Sequence, residues 1–371
     1  MQFKNILATA KQYGSAAALV QPIKLLRERG HKVTVYATGS ATEAMGFRQN
    51  YQEIHPEEQD YFSLIRGYEL ILVGLSGYET ADGHFIRAAT EQKIPSVGVN
   101  DQNYNYKLRF GGEEKNLPTR IALMNEECKQ RIKEELPPEL AAEVLKRSKV
   151  VGWTNYDNYA IIRESFSPQQ RHNLMADLGL NPQAPLHLYF SNNIHPEAEY
   201  WGPYREWPAE KRKKYYDYEM QLTEAVLKAA RELGLRLAVK PHPGENTDDT
   251  ERLVKGYQFT FLSASSCDTT QLMLAATSIT VGKSGCLNEG CLFDKNTGGV
   301  FPGIDQKELI PYPPFTAQAI PYTLTWEGIF EVIKTITSEN PITNEELAQQ
   351  RKRFSVDGKA SKRLVELIEG L

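Results

Sequence analysis

Leu235-Arg236-Leu237-Ala238-Val239-Lys240 runs into Pro241-His242-Pro243-Gly244, and the character of the chain changes at that join. The first half alternates and then turns apolar, as a buried strand does. The second half cannot continue a strand, because two prolines lack the N–H a ladder needs and, with the glycine, turn the chain. The pattern returns at Ser278-Ile279-Thr280-Val281, a short strand that ends in Gly282-Lys283-Ser284-Gly285 before a helical segment carrying Glu289. In an open parallel sheet ligands gather beyond the carboxyl ends of the strands, where both turns would lie. One turn offers the His242 imidazole and the Lys240 ammonium. The other offers Lys283 and the backbone N–H groups of Ser284 and Gly285 at a helix start, where anions are favoured. Glu289 follows about one and a half helical turns after Ser284 and would face the same crevice. The outline is that of a pocket for a nucleotide diphosphate.

Bulk properties narrow the class. A chain of 371 residues is too long for one ordinary core, so two domains are expected. Hydrophobic content of 41% and charged content of 24% are those of a water-soluble globular protein. A net charge of −4 argues against a nucleic-acid binder with a broad basic surface. Cys128, Cys267, Cys286 and Cys291 form no CxxC pair and no cluster with histidine, so neither a zinc site nor another metal is expected. No signal peptide is expected ahead of the first strand, and no apolar run approaches the roughly 20 residues that span a bilayer. The expected location is the cytoplasm, with at most peripheral contact with the inner membrane surface.

Working outward, the first half alternates strands and helices. Ile6–Ala10 reads as a strand, Lys11–Ser15 as a turn, Ala16–Arg29 as a helix with Pro22 its weak point, and Val33–Tyr36 as the next strand. This β-loop-α-β unit opens a doubly wound fold, although its turn holds one glycine and lacks the GxGxxG fingerprint. Further strands are expected at Glu69–Gly74, Ser96–Val99, Ile121–Met124 and Lys149–Gly152, with helices at Phe85–Gln92 and Glu126–Glu135. In the second half, Leu186–Phe190 is a strand that leaves through Ser191-Asn192-Asn193-Ile194-His195. A long helix is expected at Tyr216–Leu233, a strand at Gly299–Phe301, and amphipathic helices at Trp326–Thr337 and Ala360–Leu371. The domain boundary falls in the polar stretch after Thr154. This gives residues 1–155 as an acceptor domain and 156–371 as a donor domain, with the last helix able to return to the first domain.

Certain stretches resemble the GT-B superfamily, which holds nucleotide-sugar glycosyltransferases, UDP-N-acetylglucosamine 2-epimerases and the glycerophosphate transferases of teichoic-acid synthesis. Gly30-His31-Lys32-Val33 is similar to the start of the second strand in many such chains. Lys240-Pro241-His242-Pro243 resembles the K/R-x-HP turn of epimerases and glycerophosphate transferases, and Ser284-Gly285-Cys286-Leu287-Asn288-Glu289 resembles the SG-xxx-E step of the donor domain. Asp357-Gly358-Lys359-Ala360-Ser361 is similar to the start of the closing helix. The resemblance implies an α/β protein of two Rossmann-like doubly wound parallel-sheet domains facing a central cleft. It also implies that His242 meets the donor's diphosphate or sugar, that Ser284 and Gly285 hold phosphate, and that Glu289 takes ribose hydroxyls. Two departures stand. The GTRPE-like first loop of 2-epimerases is replaced by Lys11-Gln12-Tyr13-Gly14-Ser15, and the GGTGGH loop of cell-wall lipid transferases is absent.

The expected activity is metal-independent transfer of a sugar from a nucleotide-diphosphate donor to an acceptor hydroxyl, on a glycan or lipid-linked glycan, with no cofactor. A 2-epimerase, a glycerophosphate transferase, and a nucleotide-sugar-binding protein without turnover stay open as alternatives. Nucleotide and phosphate contacts are expected from Ser191, Asn192, Lys240, His242, Lys283, Ser284, Gly285 and Glu289. The acceptor side is expected to use Gly14, Ser15, Ser76, Gly77 and Glu79. Asp101 is the expected general base, with Glu79 and His84 as competitors, since that role needs a carboxylate or imidazole within hydrogen-bond reach. His242 is also expected to act on the leaving diphosphate. Tyr104, Tyr106, Tyr200, Trp201 and Tyr204 form an aromatic set that either packs or stacks on a sugar.

Overall fold

The computed structural model describes residues 4–39, 41–44, 52–53, 60–102, 104–194, 207–242, 245, 247–263, 266–309, 319–338, 343, 345–346 and 356–371. The chain divides into two units, Met1–Asn158 with Lys352–Leu371, and Tyr159–Arg351.

The first unit holds seven strands: β1 Asn5–Ala10, β2 Lys32–Ala37, β3 Gln52–Glu53, β4 Leu70–Gly74, β5 Ser96–Val99, β6 Arg120–Leu123 and β7 Ser148–Val150. They form one sheet in the order β3-β2-β1-β4-β5-β6-β7, with every pair parallel. The chain runs from β1 outward to β3, then returns beside β1 as β4 and runs the other way. The strand order therefore reverses between β1 and β4. Both faces of the sheet are covered, so β4 is apolar and buried from Leu70 to Gly74.

The second unit holds β8 His187–Phe190, β9 Leu237–Lys240, β10 Thr260–Phe261, β11 Ser278–Val281, β12 Asn296–Val300 and β13 Tyr322–Thr323. Its order is β10-β9-β8-β11-β12-β13, again parallel throughout. Here the reversal lies between β8 and β11. Strand periodicity sorts its residues into two cores. Leu188, Phe190, Ala238, Ile279 and Val281 pack on one face with the helices Pro168–Asp177, Thr269–Ala275 and Cys286–Leu292. Tyr189, Leu237, Val239 and Val300 pack on the other with Ala209–Glu232 and Gly328–Thr337.

Helix Ala360–Glu369 belongs to the first unit. It places Leu364, Val365 and Ile368 in the same core as Ile6, Ala8, Leu19 and Ile23. Asp157 caps it, accepting from the N–H groups of Ala360 at 3.0 Å and Ser361 at 2.5 Å. Near its other end Glu369 meets Arg29 at 2.6 Å and His31 at 3.3 Å. Burying three aliphatic side chains contributes on the order of 5 to 8 kcal/mol before ordering costs.

Two expectations need correcting, and one open alternative is decided. Gly14 and Ser15 do not lie in a turn, because helix Tyr13–Glu28 already contains both. A Cβ on Gly74 would lie 2.9 Å from Ser15 Cβ, so the helix starts hard against the end of β4. The long helix of the second unit begins at Ala209, not Tyr216. Its early charged residues form i,i+4 pairs, such as Lys214 with Glu210 at 2.8 Å. Tyr106 is a core residue, fully buried, with its hydroxyl accepting from Asn100 Nδ2 at 2.8 Å. His195, Tyr200, Trp201 and Tyr204 lie outside the described residues, as do Pro243 and Gly244.

Candidate functional site

In the second unit the ends of β8, β9 and β11 bring most of the expected donor residues to one edge. Ser191 and Asn192 leave β8, Lys240 ends β9 with His242 two residues on, and Lys283, Ser284 and Gly285 follow β11. The crevice between β8 and β11 is the reversal point, where open α/β sheets take ligands.

The residue that organises this edge is Glu245, which the sequence reading did not single out. Its carboxylate accepts from the His242 N–H at 2.8 Å, from Ser191 Oγ at 2.8 and 3.2 Å, and from Thr250 Oγ1 at 3.1 Å. The Glu245 N–H donates back to the His242 carbonyl at 2.9 Å. Thr250 Oγ1 in turn accepts from Asn193 Nδ2 at 2.9 Å, and Asn193 Oδ1 accepts from Thr223 Oγ1 at 3.2 Å. The turn after β9 is thus pinned to the exit of β8. Burial pushes the Glu245 carboxyl up, and the hydrogen bonds oppose that rise. Burial pushes the His242 imidazole down, favouring its neutral form.

Ser191 is buried within this network, and Asn192 is half-buried beside it. Ser191 Oγ serves Glu245, and Asn192 Nδ2 donates to Tyr215 Oη at 2.7 Å. Lys240 is 3% exposed, and its Nζ donates to the Ser263 carbonyl at 3.3 Å. Burial lowers its pKa, opposed by the neighbouring Cys267, Asp268 and Cys286. Cys286 is pushed up to about 12, by burial first and by Glu289 second. Lys240, Cys286 and Glu289 therefore form a chain of neighbours from β9 to the helix after β11. Glu289 Oε1 accepts from Tyr159 Oη at 2.8 Å, and burial raises its pKa.

The helix start after β11 is weaker than its sequence suggests. Cys286–Leu292 is seven residues long, and the Cys286 N–H already donates to Ser284 Oγ at 3.3 Å. Lys283 and Ser284 are half-buried and Gly285 is exposed.

In the first unit a second polar cluster lines the reversal point between β1 and β4. Ser15 and Ser76 share a hydrogen bond at 2.9 Å between their hydroxyls. Asp82, 1% exposed, accepts from the Ser76 N–H at 3.3 Å and Thr9 Oγ1 at 3.5 Å. Burial pushes Asp82 up to about 7, against the pull of those partners and of Lys11. Asp101 pairs with Arg109 at 3.0 Å, both nearly fully buried. Arg109 also donates to the carbonyls of Leu75 and Tyr104. A Cβ on Gly14 would lie 2.7 Å from Asp101 Oδ2, so the glycine admits that carboxylate to the start of the helix.

Asp101 therefore meets the Arg109 guanidinium through Oδ1. Of the other acceptor-side residues, Gly77 is buried beside Ser76, while Glu79 is exposed and takes the Tyr78 hydroxyl at 2.7 Å. His84 is exposed, stacks on Tyr61, and is lowered by partial burial and by Arg87. Asp82 and Arg109 were not anticipated; the only hint was an acid in the first turn of helix Ala81–Glu91.

Described cavities open elsewhere. One of about 420 Å³ lies at the amino ends of β5 and β6, beside Pro95, Thr119 and Arg120. Another, of about 280 Å³, lies at the amino ends of β8 to β10, beside Leu186, Arg236 and Phe259. A third, of about 490 Å³, lies at the amino ends of β8 and β9, beside His187 and Leu235. None of these is at the strand edge where α/β sheets take their ligands. Among the described residues no group of three His, Cys, Asp or Glu side chains is placed to hold a metal ion. Among them also, no helix is long and apolar enough to cross a membrane.

Solved structures share this fold over nearly the whole chain. The UDP-GlcNAc 2-epimerase from Neisseria meningitidis, solved bound to UDP-GlcNAc, is 13% identical with a TM-score of 0.63, covering 99% of this chain and 100% of that one. The wall teichoic acid polymerase TagF is 11% identical with a TM-score of 0.63, covering 98% and 88%. MurG from Acinetobacter baumannii is 13% identical with a TM-score of 0.59, covering 99% and 100%. No protein-family model and no curated protein matches the sequence. The chain has the GT-B fold, with two Rossmann-like parallel sheets, and at these identities the likeness carries the fold and not the roles of residues.

Proposed function

We propose that the second unit binds the diphosphate of a nucleotide-activated sugar at the carboxyl ends of β8, β9 and β11, and that the protein transfers the sugar to an acceptor hydroxyl. One observation carries this reading: a single sheet edge gathers a neutral imidazole, a buried ammonium and a half-buried acid around the reversal of strand order. Lys240, Lys283 and the Ser284–Gly285 backbone would balance the charge that develops on the leaving diphosphate. His242, with its backbone fixed by Glu245, would donate to or accept from a phosphate or sugar oxygen. Glu289 would take ribose hydroxyls through Oε2, with Oε1 held by Tyr159. The acceptor is assigned to the first unit, whose reversal point carries Ser15, Ser76, Asp82 and Asp101.

The test is calorimetric titration of UDP, CDP, GDP and dTDP into the wild type and His242→Ala. The expected result is that one of the four binds and that the substitution weakens it at least tenfold. No binding, or unchanged affinity in the variant, removes the assignment. A second reading draws on the fold likeness itself, which is as high for a 2-epimerase and a teichoic acid polymerase as for a glycosyltransferase. Product analysis by NMR separates them, since an epimerase turns over without an acceptor and a transferase does not. Nucleotide binding with no turnover across a broad acceptor screen would favour a binding protein.

A further inference from the structure

Two of the described cavities adjoin at the amino ends of β8, β9 and β10. The one of about 280 Å³ is lined chiefly by apolar side chains, among them Met175, Leu180, Leu186 and Phe259. The one of about 490 Å³ reaches His187. Pro185 and Arg236 line both. Spaces of this order take small organic molecules. The walls are held from behind. Arg171 donates from Nη1 to the Pro182 carbonyl at 2.6 Å, from Nη2 to the Ala184 carbonyl at 3.0 Å and from Nε to the Ala275 carbonyl at 2.9 Å. Asn181 Oδ1 accepts from the Gln183 N–H at 3.0 Å, and the Asn181 carbonyl accepts from the Ala184 N–H at 3.1 Å. On the far side Gly234 turns the chain out of the long helix at φ 66°, and the Leu235 N–H donates back to the Ala230 carbonyl at 3.0 Å. A ligand would meet walls that are already ordered, which spares it that cost.

The charge of this space is one-sided. Among the described residues that line it, Arg236 is the one permanent cation and none is acidic. Arg236 is exposed, and it makes no hydrogen bond or ion pair among the described residues. Strand alternation sets it on the face of Ala238, the face that packs with Met175 and Leu186. The cation therefore stands beside the apolar lining. His187 is buried and engaged through Nδ1 with Ser278 Oγ at 2.7 Å, and burial lowers its pKa, so it adds no charge near neutral pH. We propose that the adjoining cavities form a second ligand site, for a small organic anion whose acidic group pairs with Arg236 and whose apolar body lies against Met175, Leu180, Leu186 and Phe259. A guanidinium suits this role because its fork matches carboxylate and phosphate oxygens. The site lies at the opposite ends of β8 and β9 from the donor edge, roughly 13 Å away along four residues of strand. Its described lining offers no carboxylate or thiol, so the ligand is held there and not turned over.

The probes are 3-phenylpropionate, octanoate and phenyl phosphate, titrated by ligand-observed NMR into the wild type, Arg236→Gln and Arg236→Glu. The uncharged 3-phenylpropionamide is the control. Because Arg236 is exposed, both variants should keep the wild-type thermal midpoint, which is checked first. At least one of the three anions is expected to bind the wild type with a dissociation constant below about 1 mM. Arg236→Gln should weaken that anion by about fivefold or more, and Arg236→Glu should abolish its binding. The amide should bind the wild type no better than it binds Arg236→Gln. Failure of all three anions to bind the wild type overturns the proposal. So does binding that both variants leave unchanged, or an amide that binds the wild type as tightly as its acid.

Discussion

Replacing Asp82 by asparagine is predicted to stabilise the first unit at pH 8 and to do nothing at pH 4.5. Asp82 is 1% exposed, and burial raises its carboxyl from 3.8 to about 7. A group raised in this way contributes stability that is fully present below its unfolded value and is lost as the pH climbs through its folded value. At about 1.4 kcal/mol per pH unit, the wild type forfeits about 4 kcal/mol between pH 4 and pH 7. No discount for solvent screening applies to a side chain so deeply enclosed. Asparagine copies the protonated carboxyl, with Oδ1 accepting from the Ser76 N–H and Nδ2 donating to Thr9 Oγ1. It holds that arrangement at every pH. The assay is thermal unfolding followed by near-UV circular dichroism at half-unit steps from pH 4.5 to 8. The gap between variant and wild type should open with pH to about 10 °C, at roughly 2 to 4 °C per kcal/mol for a unit of this size. A gap that is constant across the series, or a wild type that gains stability relative to the variant as pH rises, refutes the reasoning.

Two further changes probe the frame that holds the sites. Asp157→Ala leaves the N–H groups of Ala360 and Ser361 without their carboxylate and should cost about 2 to 3 kcal/mol, read as earlier hydrogen exchange across residues 360–369. Gly83→Ala should cost about 3 kcal/mol or more, because its Cβ would overlap the Tyr78 carbonyl oxygen, which is backbone and cannot step aside. Urea denaturation should show a lowered midpoint for Gly83→Ala, and an unchanged midpoint would mean that helix Ala81–Glu91 sits elsewhere.

Elements buried on both faces were plain in the sequence. Leu70-Ile71-Leu72-Val73 and Ser278-Ile279-Thr280-Val281 lie where their apolar runs put them, because a parallel strand covered by helices has no polar face to disguise it. Polar edges were not plain. β3 is only Gln52–Glu53, with nothing apolar to mark it. Helix Pro138–Arg147 begins on the second residue of a proline pair, whose turn character masks it in the sequence, although a proline at a helix start is sterically welcome. The strand-end residues of the candidate site were legible for the same reason as the strands that carry them. Glu245 was not, because what singles it out is the company of Ser191, which comes from 54 residues earlier in the chain. For Asp101 the position after β5 was clear, and its pairing with Arg109 was not.

The return of helix Ala360–Glu369 to the first unit governs the order in which the molecule can be completed. A ribosome delivers all seven strands of the first sheet before it begins the second unit, yet Leu364, Val365 and Ile368 are still missing from the core. Translating the stretch between Asn158 and Ala360 occupies on the order of 10 to 40 s. Throughout that interval the groove beside Leu19 and Ile23 exposes apolar surface on a nascent chain. The second unit meets no such wait, since all its strands emerge in one uninterrupted run, so it is the half equipped to reach its final state first.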